Sequence, residues 1–252
     1  MSANGRETGL KPVAKGVAEK PSRQEKNHPA ATADSHDTSR FRHVSSARLP
    51  TAWGEFILHA FENEAGQEHV ALTVGEVSGA GSQGEGNGDA KNARPVLSRI
   101  HSECLTGDAL FSLRCDCGAQ LQQAMQQLAA AGRGILFYLR QEGRGIGLVN
   151  KVRAYHLQDE GADTVEANQH LGFDADLRSY EAVADICRHF GITQLALMTN
   201  NPAKVEALQK LGIQVPERLP IEIPANPHNR HYLQTKADKM RHLLRPASKN
   251  TG

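Results

Sequence analysis

The sequence predicts a mixed α/β fold, and three observations lead there. Short apolar runs of strand length alternate with stretches whose apolar residues recur at helical spacing. The first strand-like runs follow one another with no helical stretch between them, which points to an antiparallel section at the front and a mixed sheet overall. Gly132 and Pro202 stand where a helix should end and where one should begin.

The elements follow in order. Glu55–Phe61, Val70–Val74 and Val96–Ile100 read as strands. Leu121, Ala124, Met125, Leu128 and Ala129 share one helix face, and Gly132 closes that helix. Gly134–Leu139 reads as a buried strand. Leu148, Val149, Val152 and Tyr155 form a second helical stripe, and Tyr180, Val183, Ala184 and Cys187 a third. Leu195–Met198 is a strand. Asn201-Pro202 then opens a helix with Val205, Leu208 and Leu211 on its apolar side. A last helix is expected from about Tyr232 to Leu244. Residues 1–42 are polar and aperiodic and read as a disordered tail; 43–247 form one domain; 79–93, rich in Gly, Ser and Asn, read as a flexible insertion; 248–252 read as a disordered end.

The chain has 252 residues, enough to bury roughly 70% of its unfolded surface without disulfides. Lys+Arg number 29 and Asp+Glu 28, a net charge of +1. That balance argues against coating nucleic acid or an anionic membrane. No run approaches about 18 apolar residues, and the N-terminus lacks the apolar core of a secretory signal. The cytoplasm is the expected compartment, where clustered thiols read as metal ligands or redox groups before disulfides.

Three of the four cysteines, Cys104, Cys115 and Cys117, fall within fourteen positions. A structural zinc site usually takes four ligands; three leave a position open, as in catalytic zinc. The alternatives are buried cysteines or a Cys115–Cys117 redox pair. Three thiolates on Zn2+ carry a formal charge of −1, so nearby cations should compensate, and Arg99, Arg114 and Arg144 are the candidates. Cys187 lies on an apolar stripe and belongs to the core. Gly79–Gly84 matches G-x-G-x-x-G, but no helix follows, so it is not a dinucleotide site. Arg140–Gly147, with three glycines between a strand and a helix, suits backbone approach to a phosphate, with Arg144 as a clamp. Thr199–Lys204 is a second such junction, where an ordinary N-cap is the plainer reading. Asp176 and Arg178 point to one face of an extended stretch, and a simple ion pair is the default. His228 and His231 carry no assigned role.

In order, Arg99–Asp108, Ser112–Gly118, Arg140–Gly147, Asp163–Asn168, Gly172-Phe173, Asp176–Tyr180 and Thr199–Pro202 resemble the GTP cyclohydrolase II family of riboflavin biosynthesis. The resemblance covers about residues 45–245. It implies a largely antiparallel sheet or barrel flanked by helices, and a homodimer. It implies hydrolysis of GTP, with guanine C8 leaving as formate and pyrophosphate split off. Cys104, Cys115 and Cys117 would bind one zinc, and Mg2+ would accompany the triphosphate. Arg99, Ile100, His101, Ser102, Glu103, Gln120, Glu142, Gly143, Arg144, Thr164, Thr199 and Lys204 would hold the nucleotide, with Glu142 accepting from guanine N–H groups. Tyr155 would lie near the reacting base, Asp176 would accept a proton, and Arg178 would be the nucleophile on the α-phosphate. A guanidinium stays protonated below pH ~12, so stabilisation of transition-state charge is the alternative for Arg178. The rival classes are a non-catalytic zinc-stabilised nucleotide- or RNA-binding paralogue and a thiol redox protein.

Overall fold

The computed structural model describes residues 40–78, 94–174 and 176–243. The expected insertion 79–93, the terminal residues 248–252 and most of the tail lie outside these. Seven strands make one sheet: β1 (Arg42–Thr51), β2 (Gly54–Glu62), β3 (Glu68–Val74), β4 (Val96–Ser102), β5 (Gly134–Leu139), β6 (Gln194–Met198) and β7 (Gln214–Leu219). Their spatial order is β1-β2-β3-β5-β4-β6-β7. The pairings β1–β2, β2–β3 and β3–β5 are antiparallel; β5–β4, β4–β6 and β6–β7 are parallel. The mixed class holds, and its two halves are equal rather than largely antiparallel.

The helices are α1 (Leu105–Asp108), α2 (Cys117–Ala131), α3 (Gly147–Asp159), α4 (Thr164–His170), α5 (Glu181–His189), α6 (Pro202–Lys210) and α7 (Arg230–Met240). β5 alternates its side chains between two cores. Ile135, Phe137 and Leu139 pack with Ile100, Val183, Ile186 and Leu208, so α5 and α6 cover one face. Leu136 packs with Phe56, Leu72, Met198, Ala124 and Leu128, so α2 covers the other. Burial on both faces explains why β5 reads as an unbroken apolar run. Gly132 ends α2 with φ of 65°, the left-handed conformation its position predicted.

The structure departs from the sequence expectations at several places. β1 begins at Arg42, inside the stretch taken for tail. It is an edge strand with most of its residues exposed, so its pattern carries no apolar alternation. β7 is half solvated in the same way, α1 is a single turn, and α4 is held by a capping box between Asp163 and Glu166. The Leu148, Val149 and Val152 stripe does not pack: these residues are 39%, 65% and 56% exposed. α3 lies over a polar cleft, so its inward face carries Lys151 and Ala154 instead. α7 stops at Arg241, short of the expected Leu244.

A chain of hydrogen bonds crosses the antiparallel half. Ser46 Oγ lies 2.7 Å from His59 Nδ1, and His59 Nε2 lies 2.9 Å from Thr73 Oγ1. Burial, helped by His43 and His189, lowers the His59 imidazole from 6.5 to about 4. Burial lowers His69 to about 4 as well. Below pH 6.5 the unfolded chain protonates these rings while the folded chain refuses the proton until about pH 4. Stability is therefore whole above that window and falls as pH drops through it. His59→Gln is expected to flatten the slope of melting temperature against pH between 4 and 7; an unchanged slope refutes the assignment.

Candidate active site

The three clustered cysteines meet where β4 hands over to α1 and α2. Cys104 follows the end of β4, and Cys117 opens α2. Two glycines permit the approach. A Cβ on Gly118 would lie 2.0 Å from the Gly107 carbonyl oxygen, and one on Gly107 would lie 2.8 Å from Cys115 Sγ. Cys104 Sγ and Cys115 Sγ are 3.7 Å apart. All three sulfurs lie within 4.8 Å of one another, the only such ligand group among the described residues. Tetrahedral zinc with bonds of about 2.3 Å needs sulfurs about 3.8 Å apart, so the donor set and its spacing fit that ion. Hydrogen bonds from Cys115 and Cys117 drive the Cys104 thiol far below its ordinary range, while Cys104 pushes Cys115 up to about 11. Three thiols this close cannot all ionise without a cation among them.

The charge that faces these sulfurs comes mainly from lysines rather than from the expected arginines. Lys151 Nζ lies 3.2 Å from Cys104 Sγ and donates to Glu142 Oε1 at 2.6 Å. Lys236 Nζ donates to Asp116 Oδ1 at 2.7 Å. Asp116 accepts from Gln120 Nε2 at 2.6 Å, and Gln120 Oε1 accepts from Arg99 Nη2 at 2.6 Å. Of the arginines, Arg99 acts on Cys117 through its charge. Arg114 instead covers the Tyr155 ring, 4.8 Å from its centroid, and pairs with Asp159.

A cleft of about 1110 Å³, its open mouth included, runs from these sulfurs across the carboxyl ends of β4, β5 and β6. Arg99, His101, Ser102, Glu103, Gln120, Glu142, Gly143, Arg144, Tyr155, Thr164, Arg178, Thr199 and Lys204 line it with the three cysteines. Ile100 does not; its side chain is in the core, 1% exposed, and only its carbonyl meets the site, accepting from Lys204 Nζ at 2.9 Å. Strand alternation requires this, since Arg99 and His101 flank it. Asp176 stands behind the wall, where its Oδ1 accepts from Arg178 Nε at 2.8 Å.

Glu142 is already engaged. Its Oε2 accepts from Leu105 N at 2.7 Å and its Oε1 from Gly143 N at 2.8 Å, besides Lys151. The carboxylate thus ties the glycine-rich turn to the cysteine loop before any nucleotide arrives. Gly143 and Arg144 are both left-handed, with φ of 64° and 62°, which aims the Arg144 guanidinium at the cleft. Its Nη1 is buried without a partner among the described residues. Tyr155 OH lies 3.1 Å from Thr106 Oγ1, and burial raises its pKa. Burial pushes the Asp176 carboxyl up, but the Arg178 guanidinium overrides that and holds it below the usual range. Arg178 in turn is kept firmly cationic by Asp176 despite its burial.

Four residues of the C-terminal segment, Tyr232, Lys236, Met240 and His242, line the same cleft. Sequence reasoning missed them and Lys151. Their helices carry no motif, and Lys236 meets its partner from 120 positions away.

The family model of GTP cyclohydrolase II matches residues 42–220. The chain belongs to the GTP cyclohydrolase II family. It is 57% identical over 204 residues to GTP cyclohydrolase-2 of Shewanella amazonensis, covering 81% of this chain and 93% of that one. GTP cyclohydrolase-2 of Teredinibacter turnerae is 58% identical over 203 residues, 80% of this chain and 96% of its own. That of Neisseria meningitidis serogroup A is 56% identical over 202 residues, again 80% and 96%. Among solved structures, a two-domain 3,4-dihydroxy-2-butanone 4-phosphate synthase of A. baumannii aligns at a TM-score of 0.38 and 16% identity, over 72% of this chain and 41% of that one. Within the family frame, the cysteine cluster and the cleft are the candidate active site. Among the described residues, no helix is long and apolar enough to cross a membrane.

Proposed function

We propose that this chain hydrolyses GTP, opening the guanine imidazole ring to release formate and splitting off pyrophosphate, the first step of riboflavin biosynthesis. The observation that carries the reading is a three-thiol cluster in the wall of a cation-rich cleft, in a chain of this family. Cys104, Cys115 and Cys117 would hold Zn2+, and Mg2+ would accompany the triphosphate. Bound zinc supplies a Lewis acid and an activated water for attack at the ring carbon.

The chain's own residues bind and orient. Arg144 and Arg178 present fixed positive charge to the phosphates, and Lys204 a third basic group. Lys204 reaches the cleft fully desolvated, and burial drives its ammonium well below its usual range; the arriving phosphates favour its charged form. Arg178, locked in the cationic form by Asp176, suits stabilisation of charge on the α-phosphate better than attack on it. Asp176 acts through Arg178, holding the guanidinium in place. Tyr155, under the Arg114 guanidinium, closes the side of the cleft next to the cysteines. The enzyme works as a homodimer in the cytoplasm.

The test is incubation of the zinc-loaded protein with GTP and Mg2+. Formate is expected in step with GTP loss. GTP consumed without formate refutes ring opening. Intact GTP refutes the activity and leaves the non-catalytic binding reading in its place.

A further inference from the structure

The family model's match stops at residue 220, before α7 begins. Yet the segment after α7 reaches back into the cleft. Arg241 caps α7 in the left-handed conformation, with φ of 55°, a costly choice for a residue with a side chain. The chain is pinned on both sides of the next residue. His242 N donates to Lys236 O at 3.1 Å, and Leu243 N donates to Asn200 O at 2.8 Å, beside the start of α6. The backbone is thus bent and fastened so that His242 lines the cleft. Its Nε2 is buried and has no partner among the described residues, as is true of Arg144 Nη1 in the same wall. Burying a polar atom unpaired costs about 1–3 kcal/mol, so such atoms, Arg99 Nε a third, along one cleft mark a ligand's place.

We propose that His242 is a further substrate-contacting residue, its Nε2 taking a phosphate oxygen of the bound nucleotide. The inference rests on the GTP reading above and extends it to the C-terminal segment. The surroundings point to phosphate rather than base or ribose. The charged groups that act on His242 are Lys236 from its own segment, Lys204 from α6, Arg178 from the stretch before α5 and Arg144 from the glycine-rich turn. All four are basic side chains. Burial and these four together lower the imidazole to about 3, so the ring is neutral in the free protein. A neutral imidazole among cations donates one N–H without adding to their repulsion. An arriving phosphate satisfies that donor and the orphaned Arg144 nitrogen together.

The test compares His242→Ala, His242→Gln and the parent protein, each checked for folding by circular dichroism. Affinity is measured by calorimetry, with Mg2+ and with formate release monitored in the same samples, for a GTP analogue whose α- and β-phosphates are joined by an imido bridge, and for guanosine. His242→Ala is expected to weaken the analogue roughly ten- to hundredfold, as loss of a hydrogen bond to a charged group does, and to leave guanosine unchanged. His242→Gln, which keeps an N–H donor, is expected to restore most of the loss. Equal weakening of analogue and guanosine overturns the proposal and makes His242 a structural residue. So does an analogue affinity that Ala leaves intact. Formate release by the parent protein is scored separately, so the activity can stand while this contact falls. If the parent binds no analogue at all, both readings fall.

Discussion

Cys115→Ser is expected to abolish formate release, by about three orders of magnitude or more, and to lower bound zinc from about one per chain. The magnitude follows from the several kcal/mol of charge stabilisation a Lewis-acidic ion supplies, at about 1.4 kcal/mol per tenfold. The cause is local. Cys115 Sγ lies 3.7 Å from Cys104 Sγ, and both are buried, so no neighbouring group substitutes for the lost sulfur. The fold should survive, because the two apolar cores lie on the sheet faces, away from this loop. Metal analysis and formate assay on the same preparation check both halves. Full activity with full zinc in the variant sinks the three-thiol assignment.

Lys151→Met is expected to destabilise the protein by about 3–5 kcal/mol, the usual result of stranding one partner of a buried ion pair. Lys151 and Glu142 are 10% and 9% exposed in their side chains and 2.6 Å apart. Without the lysine, the buried Glu142 side chain is left with only the backbone donors of Leu105 and Gly143. At about 2–4 °C per kcal/mol for a domain of this size, the melting temperature falls by about 10 °C. The double variant Lys151→Met with Glu142→Gln should recover much of that loss, because no buried charge is then left alone. A single variant that melts with the parent protein shows that water reaches the pair and that its burial means little.

Much of the fold was legible because its central elements obey one pattern each. The β5 run and the α2 stripe needed no tertiary information: one is buried on both faces, the other on one. β1 and β7 were illegible for the opposite reason. Edge strands with solvated faces have no alternation to read. The Leu148–Val152 stripe misled because periodicity reports an apolar face and not what lies opposite it.

The site divides in the same way. Cys104, Cys115 and Cys117 announce themselves by spacing, and the glycine-rich turn by composition. Ile100 was drawn in by its neighbours in the motif, although strand geometry turns it into the core. Lys151, Lys236 and His242 gave no local signal. Their roles exist only once α3 and the C-terminal segment have folded over the cleft.

That dependence has a consequence for how the protein matures. Arg99 bonds to the Met198 carbonyl, Lys204 to that of Ile100 and Lys236 to Asp116, across 99, 104 and 120 positions of chain. Loop closure over such spans is slow and comes late, after the local helices and hairpins have formed. While the ribosome is still making the chain, Asp116 has no lysine to meet until residue 236 has emerged, 120 positions later. The half-made protein can own its strands and even its cysteines, but its Asp116 carboxylate lacks the lysine that pairs with it. Competence therefore waits for α7 to dock over the cleft, and a chain cut before α7 is inert before it is unfolded.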